Sequence, residues 1–506
     1  RKLRVILPAD DPNTNLCKTI FSALANGYPA PIIANWGRDF KKTDKTFGGF
    51  GGSHLGKLDG TLAVLETLSS DATPPDERLH PDDLVLIMDA YDVWIQLPPS
   101  LLVRRWLAQN DAAAQRIRDG WSETAEGALP PPRQSVILST QKKCWPTKAD
   151  GSDTHCDILP ESTARKDLYG PDTDKPDGPL HFRRPRYINS GSMLGPARDA
   201  IRILRRAHEK VEASRAAGLN LFSDQGILGE ILGEQELWRK EQRERNARLP
   251  DVQPGGPDTW EYGMGLDYVQ DLFVPTVFME DDGEYLVLAD QAAVDKASKE
   301  HKVDPPRLSG VPEDILTYAS APLVLAGVET ETETESKADD DERRNTTGWA
   351  DVPLYADYWS TQVPVGVHHN AHRGGMKGRR LREWWSKTWY FPYLRDIVAA
   401  RSQAVDTREP LVTIPAAEID GSKDGQDLVY WAPEADMRKP LPRTFNPDDT
   451  EEDGLPEAGW DTLCQAVGKD EDDWWDVIFQ DDKGPLGQDQ AEGSESESKS
   501  ETETSR

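Results

Sequence analysis

Cysteine is scarce in this chain: Cys17, Cys144, Cys156 and Cys464 are the only four in 506 residues. That excludes a small domain built on a disulfide framework. Cys144 and Cys156 flank the polar loop KADGSDTH, where a disulfide would close a short ring. Two buried or free thiols are the alternative, suited to a reducing compartment. Long apolar runs are missing too. None reaches the roughly 18 residues of a membrane span. No signal peptide is visible, yet the chain starts at Arg1 and runs directly into LRVILPA. A signal or anchor removed upstream of Arg1 is the expectation, and the only expected link to a membrane. Positive charge is the third shortage. Lys and Arg number 59 against 89 acids, a net of −30. This argues against a nucleic-acid partner, because phosphate-backbone binding needs a basic face.

The acid is unevenly placed. Residues 448–506 hold 20 acids and 4 bases, and residues 329–344 hold 8 acids and 3 bases. Those stretches carry 21 of the 30 net negative charges, so the remainder is only mildly acidic. The length exceeds one small domain and implies two or three units. An apolar fraction of 37% still supports a core and excludes wholesale disorder.

The first 100 residues alternate between strand and helix patterns. Leu3–Pro8 and Pro31–Trp36 are short apolar runs. The Gly-rich turn FGGFGGSHLGKL leads into a helical pattern from Leu55 to Leu68, with Leu58, Leu62 and Leu65 on one face. Leu84–Met88 is continuously apolar, as in a strand buried on both faces of a parallel sheet, and Ser135–Ser139 repeats the type. RPRYINSGSMLGP predicts a strand with an embedded Ser-Gly turn. Helices are predicted over Ala197–Ala217 and Asp224–Arg245, and a strand pair over Leu266–Val277. A further helix is predicted to hold Trp384, Trp385 and Trp389. The order predicts an α/β fold over residues 1–400, with a mostly parallel central sheet flanked by helices. Residues 329–344 read as a low-complexity insertion, 401–480 as a C-terminal appendage and 481–506 as a disordered acidic tail.

Asp89-Ala90-Tyr91-Asp92 follows Leu84–Met88 directly. A buried strand that ends in two carboxylates delivers them where open α/β sheets bind ligands. Two Asp three apart can converge on one hard cation, Mg²⁺ or Mn²⁺, that bridges diphosphate oxygens. A plain strand-ending turn is the alternative. His368-His369-Asn370 also ends an apolar run, VPVGV. A His there can complete the same metal shell, while His372, Arg373 and Lys377 add positive charge near phosphates. A separate zinc site on His368, His369 and His372 competes with that reading, against the Gly pair that comes after them. Gly48–Gly56 precedes a helix and ends in Lys57, so its backbone N–H groups can face a diphosphate. It departs from the P-loop pattern because Leu58 follows the Lys. Asn189-Ser190-Gly191 and Asp224-Gln225 can reach a substrate hydroxyl, or only form a turn and a helix cap. Trp145 can stack on a sugar or fill a core.

In chain order these pieces read GG…LGKL, IMDAYDVW, LST…CWP, RYINSG, SDQ, LD…F and HHN. The series resembles the nucleotide-sugar glycosyltransferase domain of the lysyl hydroxylase and procollagen glucosyltransferase family, as a fungal-type relative without the hydroxylase part. The resemblance spans residues 1–400. It implies a GT-A, Rossmann-type fold, a UDP-sugar donor, Mn²⁺, a glycan or protein acceptor, and the Golgi or ER lumen. It implies Asp89, Asp92 and His368 as metal ligands, since the family's His-x-Asn pattern fits His368 better than His369. Tyr91 matches the aromatic at the uridine, and Gly52 and Lys57 match positions near the donor. Trp145, Asn189 and Asp224 match the sugar and acceptor side, with Asp224 and Asn189 as catalytic candidates. Two departures stand out. The family's late motif continues into Gly-Pro, where this chain has Ala371-His372-Arg373, and its acidic run before the Gln is reduced to Ser223-Asp224. The expected function is hexosyl transfer from a UDP-sugar to a hydroxyl. A catalytically degenerate nucleotide-sugar or glycan-binding protein is the alternative that the reduced acidic run motivates. A structural protein acting through its acidic tail is a third reading.

Overall fold

A computed structural model describes the chain except residues 41–51, 122–129, 219–222, 247–259, 328–347, 372, 405–407, 420–424, 439, 450–453, 466–472 and 487–506. The insertion 329–344, Gly48–Gly51, His372 and the tail from residue 487 therefore lie outside the described residues.

The first elements are β1 (Leu3–Pro8), α1 (Thr14–Ala25), β2 (Ile32–Ala34), α2 (Gly52–Ser69), β3 (Leu84–Met88), β4 (Val93–Ile95) and α3 (Pro99–Asp119). Then come β5 (Val136–Gln141), β6 (Tyr187–Pro196), α4 (Ala197–Ala216), α5 (Asp224–Asn246), β7 (Met264–Leu266) and β8 (Phe273–Pro275). Toward the C-terminus lie β9 (Gly283–Val287), β10 (Pro353–Asp357), β11 (Gly366–His368), α6 (Met376–Glu383), α7 (Leu394–Arg401), β12 (Arg443–Phe445) and α8 (Trp460–Cys464).

A seven-stranded sheet runs in the order β12-β2-β1-β3-β6-β5-β7. It is mixed and largely parallel, because only β6 runs against both of its neighbours. The strands are continuously apolar because both faces are covered. Leu3, Val5, Leu7, Leu84, Leu86 and Met88 enter one core, shared with α1, α3 and α7. Ile6, Val85 and Ile87 alternate into the opposite core under α2, α4 and α5, which also takes Leu58, Leu62 and Leu65. A smaller sheet, β4-β11-β8, and a β9–β10 pair complete the frame.

Several expectations are altered. The Ser-Gly turn expected within β6 takes the form of a bulge: the strand runs from Tyr187 to Pro196, but one step of β5, Leu138 to Ser139, spans Met193 to Asn189, so Ser190, Gly191 and Ser192 have no pairing partner in β5. The expected pair over Leu266–Val277 splits between the two sheets, β7 to the larger and β8 to the smaller. Trp384 caps α6, and Trp385 and Trp389 come after it in short turns, so no single helix holds all three. Part of the segment read as an appendage joins the main body: β12 pairs in parallel with β2, and Cys464 of α8 is disulfide-bonded to Cys17 of α1. Residues 481–486 are also placed, with Arg395 Nε of α7 2.6 Å from Asp481 Oδ2.

One buried polar cluster makes the fold sensitive to pH. Lys142 lies 2.8 Å from Asp282 Oδ2, both side chains fully enclosed, and Tyr169 Oη donates to the same oxygen at 2.8 Å. Asp357, ending β10, is buried beside them. Burial first, and then the Asp282 charge, push its carboxyl up to about 7. An acid raised in the folded state contributes stability that is complete below its unfolded value of 3.8 and is lost as pH rises through about 7. For one group the loss is at most ~1.4 kcal/mol per pH unit. Scanning calorimetry should show Asp357→Asn gaining Tm relative to the wild type as pH rises from 5 to 7.

Candidate functional site

Strand order creates the site. β2 lies on one side of β1 and β3 on the other, so the order reverses between β1 and β3. Chain leaving two such strands departs in opposite directions and opens a crevice at their C-terminal ends. A cavity of about 570 Å³ lies there, lined by Asp10 beyond β1, Asn35 beyond β2 and Asp89 to Asp92 beyond β3.

The register of the smaller sheet completes it. β4 runs antiparallel to β11 with Val93 opposite His368, so Asp92 and His368 meet although they are far apart in sequence. His368 Nε2 lies 3.4 Å from Asp89 Oδ2 and 3.3 Å from Asp92 Oδ2. Neighbouring ligand atoms on an octahedral cation with bonds of about 2.1 Å are separated by about 3 Å. Two carboxylates and an imidazole at this spacing fit a hard-to-borderline divalent ion. Among the described residues this is the one such cluster of three or more His, Cys, Asp or Glu side chains.

Asn189 decides how His368 is presented. Its Oδ1 accepts the Gly191 N–H at 3.0 Å, which fixes the orientation of the amide. The same oxygen lies 3.2 Å from His368 Nδ1, so Nδ1 carries a proton and Nε2 faces the two carboxylates. Asn189 Nδ2 donates to Gln141 Oε1 at 3.1 Å. Gly191 provides the space, since a Cβ there would lie 2.2 Å from His368 Nδ1. Asn189, expected on the substrate side as a catalytic group, lines the cavity and also positions His368. For a cation held by this cluster, such as Mn²⁺, Asn189→Leu should weaken binding about 10–100-fold while Asn189→Asp, which keeps the acceptor, loses less. Titration followed by Mn²⁺ electron paramagnetic resonance reads the difference.

Two ammonium groups enter the cluster. Lys377 Nζ of α6 lies 2.6 Å from Asp92 Oδ2. Lys57 Nζ of α2 lies 2.5 Å from Asp89 Oδ1 and 2.9 Å from Asp224 Oδ2, and it donates to the Ser190 carbonyl at 2.8 Å. Burial alone would raise the Asp92 carboxyl, but His368 and then Lys377 overcome it and hold the group well below the usual carboxylate range. Burial would likewise raise Asp224, and Lys57 holds it down. Asp224 is thus an ion-paired carboxylate, whereas a general base works best with a pKa near the working pH.

The remaining expected residues fall around this centre. Tyr91 lines the cavity, and its Oη donates to Asp10 Oδ1 at 3.2 Å. Trp145 lies at the cavity with about a third of its surface exposed, and its carbonyl accepts from Gln225 Nε2 at 2.7 Å. The Cys144–Cys156 disulfide closes the loop beside it. Gly52 opens α2 but does not line the cavity, where Ser53, His54 and Lys57 take part instead. His369 points away from His368, its buried ring packed 4.2 Å from Trp94, so the two do not share a metal site. Asp10 and His54 are cavity residues that sequence reasoning missed. Asp10 had a usable signal: it comes after β1 as Asp89 comes after β3. No protein-family model matches the chain, and no curated protein does either.

Proposed function

We propose that the chain is a divalent-cation-dependent glycosyltransferase of the GT-A type, moving a hexose from a UDP-sugar to a hydroxyl of a glycan or glycoprotein. The observation that carries this reading is the Asp89–Asp92–His368 cluster at the strand-order reversal. The cavity beside it is of a size that encloses small ligands. The ordered motifs, which resemble those of the lysyl hydroxylase and procollagen glucosyltransferase family, point the same way.

Mn²⁺ accepts an imidazole beside two carboxylates more readily than Mg²⁺ does. Bound there, it would neutralise charge developing on the diphosphate leaving group. Asp89, Asp92 and His368 would hold it, and Asn189 would keep His368 Nε2 turned toward it. Tyr91, steadied by Asp10, offers the nucleoside a flat wall. Lys57 and Lys377, held at Asp89 and Asp92, are ammonium groups that a diphosphate bound there would draw on. Trp145 walls the sugar, and Asp224 and Gln225 present hydrogen-bonding groups toward the sugar and acceptor hydroxyls. Two disulfides favour an oxidising compartment, in keeping with the ER or Golgi lumen. No helix among the described residues is long and apolar enough to cross a membrane.

A screen of UDP-glucose, UDP-galactose and other UDP-sugars for Mn²⁺-dependent UDP release tests the reading. One donor should stand out. If none releases UDP above background, with or without hydroxyl acceptors, the transferase reading fails. The Asp224–Lys57 pair favours one second reading, a protein that binds a nucleotide sugar without turnover. Calorimetry would then show UDP binding while the donor screen stays silent.

A further inference from the structure

We propose that Lys57 and Lys377 couple cation binding to nucleotide binding, each neutralising one metal-binding carboxylate until a diphosphate draws it away. The inference rests on the proposed metal site.

The placement of the two ammonium groups carries it. Lys377 Nζ is 2.6 Å from Asp92 Oδ2, the same oxygen that faces His368 Nε2 at 3.3 Å. A cation held by Asp92 and His368 would compete with Lys377 for that atom. Lys57 occupies the other carboxylate at Asp89 Oδ1. With Asp224 shared by Lys57, two ammoniums face three carboxylates, and each of the two metal-binding carboxylates already holds one ammonium. A divalent ion added to that arrangement meets like charge within a few ångströms, at an effective dielectric far below that of water. A diphosphate changes the balance. Its oxygens supply new charge-assisted hydrogen bonds, so the ammoniums can leave the carboxylates without losing a partner. Cation and diphosphate then favour each other, and by linkage each tightens the other's binding by the same factor.

The two lysines differ in freedom. Lys57 is largely enclosed and keeps Asp224 and the Ser190 carbonyl as partners when Asp89 is taken. Lys377 is about half exposed. Gly374 and Gly375 lie just before it, with φ of 56° and 70° and open space where a Cβ would stand. Those glycines permit a left-handed turn that other residues resist.

The test measures Mn²⁺ affinity of the full chain by calorimetry, with and without UDP, and needs no turnover. In the wild type, UDP should tighten Mn²⁺ by about tenfold or more. In Lys377→Met, Mn²⁺ alone should bind about tenfold more tightly than in the wild type, and the tightening by UDP should shrink. Lys57→Met alone would strand the buried Asp224 charge. The second variant is therefore Lys57→Met with Asp224→Asn, and the same direction is expected. If neither variant binds Mn²⁺ more tightly without UDP, the coupling is overturned and the metal site stands. If the wild type binds no Mn²⁺ even with UDP, the metal-site reading fails and the coupling fails with it.

Discussion

Asp92→Ala should lower Mn²⁺-dependent UDP release about a thousandfold, equivalent to ~4 kcal/mol of transition-state stabilisation. The size stems from the position. Asp92 is buried and would supply one of three ligand atoms, leaving only Asp89 and His368 when it is removed. Its carboxyl stays ionised across the working pH range because His368 and Lys377 offset the effect of burial. Asp92→Asn is the stricter variant, since it keeps the shape and removes only the charge. Both should lose Mn²⁺ binding in a paramagnetic resonance titration. Wild-type turnover in both variants would sink the metal assignment, whatever the donor.

Cys17→Ser with Cys464→Ser should cost about 4 kcal/mol of stability, below the roughly 6 kcal/mol that chain entropy alone allows for so long a loop. The two cysteines are 447 residues apart, so the bond closes nearly the whole chain. It also holds α8 against α1, where Leu463 and Cys464 are fully buried in the core under the sheet. For a chain of this size the loss corresponds to a Tm lower by about 4 °C. Calorimetry of the double variant against Cys144→Ser with Cys156→Ser separates the two bonds. The shorter loop should cost less stability, and it should instead loosen the segment that carries Trp145. Equal Tm losses from both pairs would show that loop length does not govern their contribution.

Much of the central sheet was legible because local patterning reports it. Leu3–Pro8 and Leu84–Met88 coincide with β1 and β3, since strands covered on both faces must be apolar throughout. The long helices from residue 52, 197 and 224 onward were legible in the sequence, the first through Leu58, Leu62 and Leu65 at helical spacing. β12 was not. It is three residues long, and nothing in Arg443–Phe445 marks it as a strand until β2 is beside it. The Ser-Gly irregularity of β6 was legible as well, but not its purpose: Gly191 admits the His368 ring.

By itself, then, the sequence determined the α/β alternation and the delivery of Asp89 and Asp92 to the end of a buried strand. Both are local properties, set by periodicity and by the polar residues that close an apolar run. Tertiary structure alone decided which partners those carboxylates meet. The β4–β11 register sets His368 across from Val93 and turns His369 into the Trp94 packing. The reversal of strand order brings Lys57 from α2 between Asp89 and Asp224. The turn at Gly374 and Gly375 precedes Lys377, which meets Asp92. Cys17 finds Cys464 only once the C-terminal segment has packed on α1. Each is a pairing between distant segments, and strand order and register, which no local pattern encodes, select it.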